Sequence, residues 1–359
     1  VLALTGSNGK TSVKTLLHAI LLHAGKAYVN PGNRNNEIGL PLAVIDAPED
    51  AQFAIYEMGA GKTGDIAYLT SIVTPNIALV NNIAPAHIER MGSLLGIAET
   101  KGAIYEALPD DGLAVVNVDD AFCPYFLERI AGRSVLRFGL ENNADVTAGK
   151  IVSGADGVRF ELITPAGRAE VALQMPGRHN ILNALAATAM ALAAGAPFEA
   201  VLAGLQSARP VAGRQDGKQL ANGAVLIDDS YNANPGSVLA GIAALTAACA
   251  LDGRQSLLVL GDMAELGDTA VDLHAQIGTA AKSQGIAGIM TCGVLSAAAS
   301  EAFGSGARHF TDRALIAVLN GSLHSNQRLL VKGSRSSRMD EVVNALLQTY
   351  GIQEKPDAA

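Results

Sequence analysis

The segment VLALTGSNGKTSVKTLLHAILLHAG, residues 1–25, places a short apolar run, a glycine-containing turn and a helical pattern in direct succession. Apolar residues recur at the 3.6-residue spacing from Val13 to Leu21, which predicts an amphipathic helix after the turn. The backbone N–H groups of residues 6–10 would then converge at the amino terminus of that helix, where amides and the helix dipole attract an anion. The segment therefore predicts a phosphate-binding loop in an α/β domain.

Two side chains of this loop carry the chemistry that a nucleotide needs. Lys10 is placed to reach the β- and γ-phosphates, and the Thr11 hydroxyl to ligate Mg²⁺. Leu4 stands where the pattern GxxxxGK[ST] has its first glycine, so the shorter TGxxGKT remains; a chance GKT in a glycine-rich loop is the alternative. The strand before the loop and the helix after it favour phosphate binding. The predicted nucleotide contacts are Gly6, Ser7, Asn8, Gly9, Lys10, Thr11 and Ser12.

A second GKT triplet at residues 61–63 is interpreted as an ordinary loop, because its spacing to earlier glycines and the weak helical pattern after it do not fit. Glu57 ends the apolar run before it, where a Walker B type acid would hold magnesium or its water. Taken alone, such an acid is more often a surface carboxylate. His87 and Lys101 are ambiguous in the same way, since a loop histidine is usually solvated and most helical lysines lie on the surface.

Apolar runs alternate with helical patterns along the chain, which predicts an α/β protein with mostly parallel sheets. Between residues 145 and 175, alternating apolar residues and Asp-Gly and Ala-Gly pairs predict antiparallel hairpins added to the first sheet. The other predicted strands span residues 1–4, 53–57, 77–83, 113–118, 224–227, 256–260, 286–292 and 328–331.

The segment RPVAGRQDG, residues 209–217, is predicted to be a hinge. It would join a central phosphate-binding domain of residues 1–208 to a Rossmann-like C-terminal domain of residues 218–359. The second domain lacks a GxGxxG fingerprint, which argues against a dinucleotide cofactor.

Composition excludes several classes of protein. The 359 residues carry a formal net charge of −8 and no run of Lys and Arg, which argues against nucleic acid or an anionic membrane surface as a partner. The three cysteines are far apart and predict neither a zinc site nor a disulfide framework, so a reducing cytoplasm is the expected location. The most membrane-like stretch, residues 183–205, is broken by a glycine and a proline and predicts two helices instead of a membrane span.

Polar segments follow several predicted strands of the second domain, and carboxyl ends of parallel strands are where α/β sheets bind ligands. These segments are DDSYNANPGS, GDMAELG and VKGSRSSRMDE. A further segment, PGRHNILNALAA, places Asn180 and Asn183 at a helix start, where capping and ligand binding are about equally consistent with the residue type. The candidate ligand residues of the strand-end segments are Asp228, Asp229, Tyr231, Asn232, Asn234, Lys332, Ser334 and Arg335.

Nine segments together resemble the ATP-dependent Mur ligases of peptidoglycan synthesis, in collinear order from Val1 to about Leu347. GNRNNEIG and DDSYNANPGS favour the branch of that family that joins D-Ala-D-Ala to UDP-MurNAc-tripeptide. The resemblance implies an enzyme that converts the tripeptide carboxylate to an acyl phosphate and releases ADP and phosphate. A monomer is expected. The nine segments are TGSNGKTSVK, GNRNNEIGLPL, YEMGA, VNNIAPAHIERMGS, KGAIYEAL, PGRHNILNALAA, DDSYNANPGS, LGDMAELG and VKGSRSSRM.

The resemblance also implies roles for individual residues. Thr11 and Glu57 would hold one Mg²⁺ ion and His87 a second. Lys101 matches the lysine that CO₂ carbamylates to support the second ion. Gly9 and Lys10 would contact the ATP phosphates. Asn180 or Asn183, together with Arg214, would contact adenine and ribose, and Asp229 would reach the nucleotide from the second domain. The implied substrate contacts are Asn33, Asn35, Asn36, Asn232, Asn234, Lys332, Ser334 and Arg335.

Members of the family carry an additional N-terminal domain that holds the UDP of the substrate. The resemblance therefore implies that this sequence is a fragment that keeps ATP·Mg²⁺ binding and loses most of its affinity for the UDP-sugar peptide.

Three alternatives stay open at this point. Another Mur ligase or a folylpolyglutamate synthase-like ligase would share the same ATP site, a non-catalytic nucleotide-binding module need not keep His87 and Lys101, and a nucleic-acid motor would need a basic channel.

Overall fold

The computed structural model describes residues 1–85, 88–130 and 132–353. Contacts divide the chain into two compact units. The first consists of Val1–Val152 and Gly157–Arg209, and the second of Ser153–Asp156 and the described chain from Pro210 onward.

The first unit is built on a six-stranded sheet. Its strands are β1 (Leu2–Thr5), β2 (Ala27–Val29), β3 (Phe53–Glu57), β4 (Ile77–Val80), β5 (Leu113–Asn117) and β6 (Ser134–Phe138). Its helices are α1 (Lys10–Leu22), α2 (Gly39–Ile45), α3 (Asp65–Val73), α4 (Ile88–Met91), α5 (Leu94–Glu106), α6 (Cys123–Ile130), α7 (Arg178–Ala193) and α8 (Phe198–Ser207). The strand order is β2-β3-β1-β4-β5-β6 with parallel pairing throughout. The loop after β1 therefore opens at the middle of the carboxyl edge.

The continuous apolar runs arise because both faces of this sheet are covered. Leu2 and Leu4 of β1 point to one face, where they join a core with α1 and α7, whereas Ala3 points to the opposite face and packs with α3 and α5. β4 ends at Val80, earlier than predicted, because the two asparagines after it leave the strand to contact the loop after β1.

The hairpin segment forms β7 (Thr147–Ser153), β8 (Val158–Thr164) and β9 (Gly167–Leu173). β8 and β9 pair antiparallel as predicted. The prediction that they extend the first sheet was wrong, because the three strands form a sheet of their own. The physical reason is that one face of this sheet is buried: the alternate side chains of Val158, Phe160 and Leu162 pack into the core that contains α7 and α8. The strands are therefore held by side-chain packing and not by pairing with the first sheet.

The second unit holds a six-stranded sheet of order β10-β11-β15-β12-β13-β14. The strands are β10 (Asp216–Gln219), β11 (Val225–Asp229), β12 (Gln255–Gly261), β13 (Gly288–Cys292), β14 (Ala307–Phe310) and β15 (Gln327–Lys332). The helices are α9 (Pro235–Asp252), α10 (Ala270–Ser283), α11 (Ala297–Phe303), α12 (Ala314–Ser322) and α13 (Asp340–Tyr350), with 3₁₀ turns at Gly267–Thr269 and Arg335–Ser337. β10 is antiparallel to β11, and the other pairs are parallel.

All eight predicted strands are present, which confirms the α/β class. The two edge strands of the second sheet, β10 and β14, were not predicted, because they are short and mostly polar or half-exposed and so leave no apolar run to detect. β10 includes Asp216 and Gly217, the last two residues of the predicted hinge.

One helix of the described chain, α9, is long and apolar enough to cross a membrane by length and composition alone. In the structure, its residues Val238, Ile242 and Leu245 are buried in the core of the second unit. The stretch 183–205 falls in α7 and α8, as the sequence predicted.

Gly204 shows how closely α8 approaches α1. A Cβ atom at Gly204 would lie 2.3 Å from the Cα atom of Ile20. We expect Gly204→Ala to force the helices apart and to lower the free energy of unfolding by about 1–3 kcal/mol, seen by calorimetry as a lower transition temperature. Gly321→Ala is the matched control in a helix, because nothing lies within 4 Å of a Cβ atom there. Unchanged stability of Gly204→Ala would contradict the close approach.

His274 of α10 is completely buried and holds the loop after β12. Its Nε2 atom accepts a hydrogen bond from the Met263 N–H at 2.9 Å, and its Nδ1 atom lies 2.6 Å from the Ala270 carbonyl oxygen. Burial lowers the pKa of His274 below its usual range, although the hydrogen bond to Ala270 opposes that shift. The neutral imidazole is therefore the form that matches these two contacts, with Nε2 as acceptor and Nδ1–H as donor.

The stability of the second unit should consequently fall as the pH drops below about 6.5, the ordinary pKa of histidine. Below that pH the unfolded chain binds a proton that the folded ring resists, so acid favours unfolding, whereas above it neither state is charged. Calorimetry between pH 5 and 7.5 should show a smaller pH dependence for His274→Gln than for the wild type. An identical dependence in both proteins would contradict the assignment.

Candidate active site

The loop between β1 and α1 depends on Gly9, which has a φ of 78° and forms the N-cap of α1. A Cβ atom there would lie 2.3 Å from Asn183 Oδ1 and 2.6 Å from Asn81 Nδ2, so both conformation and space require glycine. Within the described residues, no side chain caps α1. The N–H groups of its first turn, which have no acceptor inside a helix, are thus oriented to receive an anion.

The predicted phosphate and metal side chains lie together at this loop. The Lys10 ammonium donates to the Gly6 carbonyl oxygen at 2.7 Å, which folds the side chain back over the loop. The Thr11 hydroxyl donates to Glu57 Oε2 at 3.0 Å. Lysine, hydroxyl and carboxylate therefore meet at the carboxyl ends of the neighbouring strands β1 and β3.

Two residues that sequence reasoning did not assign support the loop from behind. The Asn82 carbonyl oxygen accepts from the Ser7 N–H at 2.9 Å, and Asn82 Oδ1 accepts from the Asn8 N–H at 2.8 Å. Asn81 Nδ2 donates to the Asn8 carbonyl oxygen at 2.9 Å. The amides of Ser7 and Asn8, two of the predicted nucleotide contacts, are thus bonded to the protein. An Asn-Asn pair directly after an apolar run was the available signal.

Glu57 is only 2% exposed, so the alternative of a surface carboxylate is wrong. Besides Thr11, its carboxylate contacts Asn35, whose Nδ2 atom donates to Oε1 at 2.8 Å, and Lys14, whose Nζ atom lies 3.3 Å from Oε2. The described residues contain no group of three or more His, Cys, Asp or Glu that could enclose a metal ion. One carboxylate and one hydroxyl beside a phosphate loop suit Mg²⁺, which usually takes its remaining ligands from phosphates and water.

Lys101 of α5 is 1% exposed. Burial lowers the pKa of Lys101 well below its usual range, the positive charge of Lys10 lowers it further, and Asp65 opposes the shift. His87, the predicted ligand of a second ion, lies outside the described residues.

The second GKT triplet does not form an anion site in the structure. The N–H groups of Gly61 and Lys62 both donate to Asp65 Oδ2, at 2.8 and 3.0 Å. This arrangement agrees with the interpretation of residues 61–63 as an ordinary loop, because a side chain of the protein already occupies the donors.

The three asparagines predicted on the substrate side have different surroundings. Asn33 is exposed at the loop before α2. Asn35 is bonded to the Glu57 carboxylate. Asn36 Oδ1 accepts from the Gly39 N–H at 2.8 Å at the start of α2. Only Asn35 of the three is thus bonded to the phosphate and metal cluster.

Asn180 and Asn183 lie buried behind the phosphate loop. Asn183 Oδ1 accepts from Asn81 Nδ2 at 3.2 Å, and Asn183 Nδ2 donates to Asn180 Oδ1 at 3.2 Å. Asn180 Nδ2 donates to the Pro176 carbonyl oxygen at 2.8 Å. Both amides are therefore engaged with the protein.

In the second unit, Asp229 at the end of β11 is buried and pairs with Lys332 at the end of β15, with Oδ2 and Nζ 2.7 Å apart. Lys332 also donates to the Asn232 carbonyl oxygen at 3.0 Å, and Gln215 Nε2 donates to Asp229 Oδ2 at 3.3 Å. Three of the predicted residues thus form one cluster at the carboxyl edge of this sheet.

Arg214 directly precedes Gln215 of that cluster in the chain. Its guanidinium lies over the Tyr231 ring, 4.3 Å from the ring centre. Asn234 forms a capping box with Ser237 at the start of α9: the side chain of each accepts from the backbone N–H of the other. Asn234 therefore has a structural role as a helix cap.

The last two predicted residues differ in exposure. The Ser334 hydroxyl is buried and donates to the Asp262 carbonyl oxygen at 2.6 Å, whereas Arg335 is exposed and pairs with Asp340 at 3.3 Å. Beside this loop, the carboxyl edge of β12, β13 and β14 carries an open cavity of about 370 Å³. It is lined by Asp262, Cys292, Gly293, Val294, Thr311, Asp312, Arg313, Ser336 and Ser337.

Comparison with known proteins agrees with this arrangement. Residues 4–191 match the family model described as the Mur ligase middle domain, and residues 213–335 match the Mur ligase, glutamate ligase domain. The chain is 44% identical over 350 residues to UDP-N-acetylmuramoyl-tripeptide--D-alanyl-D-alanine ligase of Escherichia coli K12, with 96% of this chain and 76% of that protein covered.

Two solved structures give the same relationship. A crystal structure of MurF from Acinetobacter baumannii superposes with a TM-score of 0.89 at 32% identity, covering 97% of this chain and 76% of that one. The MurF ligase of Thermotoga maritima in complex with ADP superposes with a TM-score of 0.85 at 25% identity, covering 97% and 79%. On the family models, the identity and the shared fold, this chain belongs to the Mur ligase family.

Proposed function

We propose that this protein is an ATP-dependent peptide ligase that joins D-Ala-D-Ala to UDP-MurNAc-tripeptide and releases ADP and phosphate. The observation that carries the proposal is the meeting of Lys10, Thr11 and the buried Glu57 carboxylate at the amino terminus of α1. The 44% identity to a ligase of that name supports the substrate pair.

The residues match the difficulty of the reaction. A carboxylate does not accept an amine at neutral pH until one of its oxygen atoms becomes a leaving group, so a substrate oxygen attacks the γ-phosphorus of ATP and ADP departs. Lys10 and the first-turn amides of α1 bind the phosphates and hold them for in-line attack. Thr11 and Glu57 would hold Mg²⁺, which when bound offsets the repulsion between the γ-phosphate and the carboxylate.

The second half of the reaction uses the acyl phosphate formed in the first. The amine of D-Ala-D-Ala attacks the carbonyl carbon, and phosphate leaves from the tetrahedral intermediate while the nitrogen loses a proton. We assign Asn180 or Asn183 and Arg214 to adenine and ribose, and Asp229 to the nucleotide. The residues assigned to the two peptide substrates are Asn33, Asn35, Asn36, Asn232, Asn234, Lys332, Ser334 and Arg335.

Lys101 is proposed to act as a carbamate. Its lowered pKa favours the neutral amine, which is the form that attacks CO₂; the product gains one negative charge and releases a proton. A carbamate at this place would support a second Mg²⁺ together with His87, whereas an ammonium group would repel the ion.

The function is tested by phosphate release from ATP, Mg²⁺, UDP-MurNAc-tripeptide and D-Ala-D-Ala. Lys10→Met should lower turnover by about 100-fold or more, because it removes a charge that faces the transferred phosphoryl group. Lys62→Met is the matched control, since Lys62 is an exposed lysine of the second GKT triplet, and its turnover should equal the wild type. Phosphate release at the full rate with another amine substrate in place of D-Ala-D-Ala would contradict the proposal. L-Ala, D-Glu or a diamino acid would indicate another Mur ligase, and glutamate would indicate a folylpolyglutamate synthase-like ligase.

Removal of the carbamate should also have a recognisable signature. In the full-length enzyme, Lys101→Ala should abolish measurable turnover, and short carboxylic acids such as acetate should restore part of it by filling the space with a negative charge. The same acids added to the wild type provide the control and should not raise its rate. A wild-type rate from the unassisted variant would remove Lys101 from the site.

A further inference from the structure

Lys14 is a buried lysine that the proposed reaction does not use. It lies one helical turn beyond Lys10 on α1, and its side chain is 7% exposed. Burial of an ammonium group is costly unless partners surround it. Lys14 has three: its Nζ atom lies 3.3 Å from Glu57 Oε2 and donates to the carbonyl oxygens of Asn30 at 3.1 Å and Gly32 at 3.0 Å.

These partners belong to two different parts of the first unit. Glu57 is the carboxylate of the phosphate and metal cluster. Asn30 and Gly32 begin the loop of residues 30–36, which contains the three asparagines assigned to the substrate side. Lys14 is thus a cation that binds the metal carboxylate and the backbone of the substrate-side loop at the same time.

The same two parts are joined by further bonds around Lys14. Asn30 Oδ1 accepts from the Glu57 N–H at 2.9 Å, and Asn30 Nδ2 donates to the Arg34 carbonyl oxygen at 2.8 Å. Asn35 Nδ2 donates to Glu57 Oε1 at 2.8 Å, so the carboxylate is held from both sides. The Gly59 N–H donates to the Asn35 carbonyl oxygen at 2.7 Å, which ties the loop to the chain just after β3.

We propose that Lys14 is a positioning residue that couples the loop of residues 30–36 to the Glu57 carboxylate, so that nucleotide binding and binding of the peptide acid favour each other. The proposal rests on the proposed function. Its physical basis is charge. A carboxylate that is 3% exposed needs a compensating cation, and the Lys14 ammonium that provides it also donates to the carbonyl oxygens of Asn30 and Gly32.

Coupling of this kind is measurable, because the factor by which one ligand tightens the other is the same in either order of addition. In the full-length protein, a nonhydrolysable ATP analogue with Mg²⁺ should tighten the binding of UDP-MurNAc-tripeptide by about fivefold or more in calorimetry. In Lys14→Met this factor should fall below about twofold, while the dissociation constant of the analogue alone changes by less than about threefold, since Thr11 and Asn35 still hold Glu57.

Steady-state kinetics should show the matching pattern. At saturating ATP, Lys14→Met should raise the KM for the tripeptide by about 2.5-fold or more, which is the ratio of the two coupling factors. Because the coupling is reciprocal, the KM for ATP should rise by a similar factor at saturating tripeptide and stay nearly unchanged at low tripeptide. Lys26→Met is the matched control, because Lys26 is an exposed lysine whose partner, Asp50, lies on the surface, and it should retain both the coupling and the KM values. Lys14→Arg keeps the charge and should keep most of the coupling, whereas Lys14→Gln should lose it.

Equal coupling in the wild type and in a folded Lys14→Met or Lys14→Gln variant would overturn the proposal. So would a wild type without coupling, or a Lys14→Met variant that binds both ligands more weakly by similar factors but keeps the coupling. If Lys14→Met does not fold, the comparison of Lys14→Arg with Lys14→Gln decides in the same way. A wild type that binds no analogue in the presence of Mg²⁺ would instead overturn the proposed function, and the coupling with it.

Discussion

A buried negative charge at Glu57 is the constraint on which the rest of the site depends. A carboxylate that loses its water must be compensated by hydrogen-bond donors and a cation, or it becomes protonated or destabilises the fold. Here Thr11, Asn35 and Lys14 supply those partners from α1 and from the loop before α2. The charge therefore requires α1, β3 and that loop to be in place together.

Two lysines near the phosphate loop have different surroundings. Lys10 is anchored to the Gly6 carbonyl oxygen. Lys101 is fully buried and feels the charge of Lys10, so its ammonium form is disfavoured. The lowered pKa of Lys101 suits the carbamate proposed for it, because the neutral amine is the form that attacks CO₂.

Asparagine side chains hold the phosphate loop in shape without adding charge. Asn81 and Asn82 bond to Asn8, Asn81 also bonds to the buried Asn183, and Asn81 and Asn183 leave no room for a Cβ atom at Gly9. Such a neutral frame leaves the electrostatics of the loop to its lysine, its helix terminus and Glu57. The loop can thus be rigid and remain attractive to anions.

The candidate site was predictable in part. The glycine turn with Lys10 and Thr11 was evident from the strand and helix pattern around it, and Glu57 from its place at the end of an apolar run. Asn234 shows the limit of that reasoning, because its side chain also caps α9, a structural role that its place after a strand does not reveal. Lys14 shows the opposite error, since one more lysine on a helix carries no local sign that it is buried.

The sequence by itself determined the parallel α/β class, the strands with continuous apolar runs and the phosphate loop, because each of these depends on spacing among neighbouring residues. The tertiary structure alone decided that the hairpins form their own sheet, that Asn82 holds Ser7 and Asn8, and that Lys14 reaches Glu57. These contacts join residues that are distant along the chain. They follow from strand order and from which faces are buried, and local periodicity does not encode either.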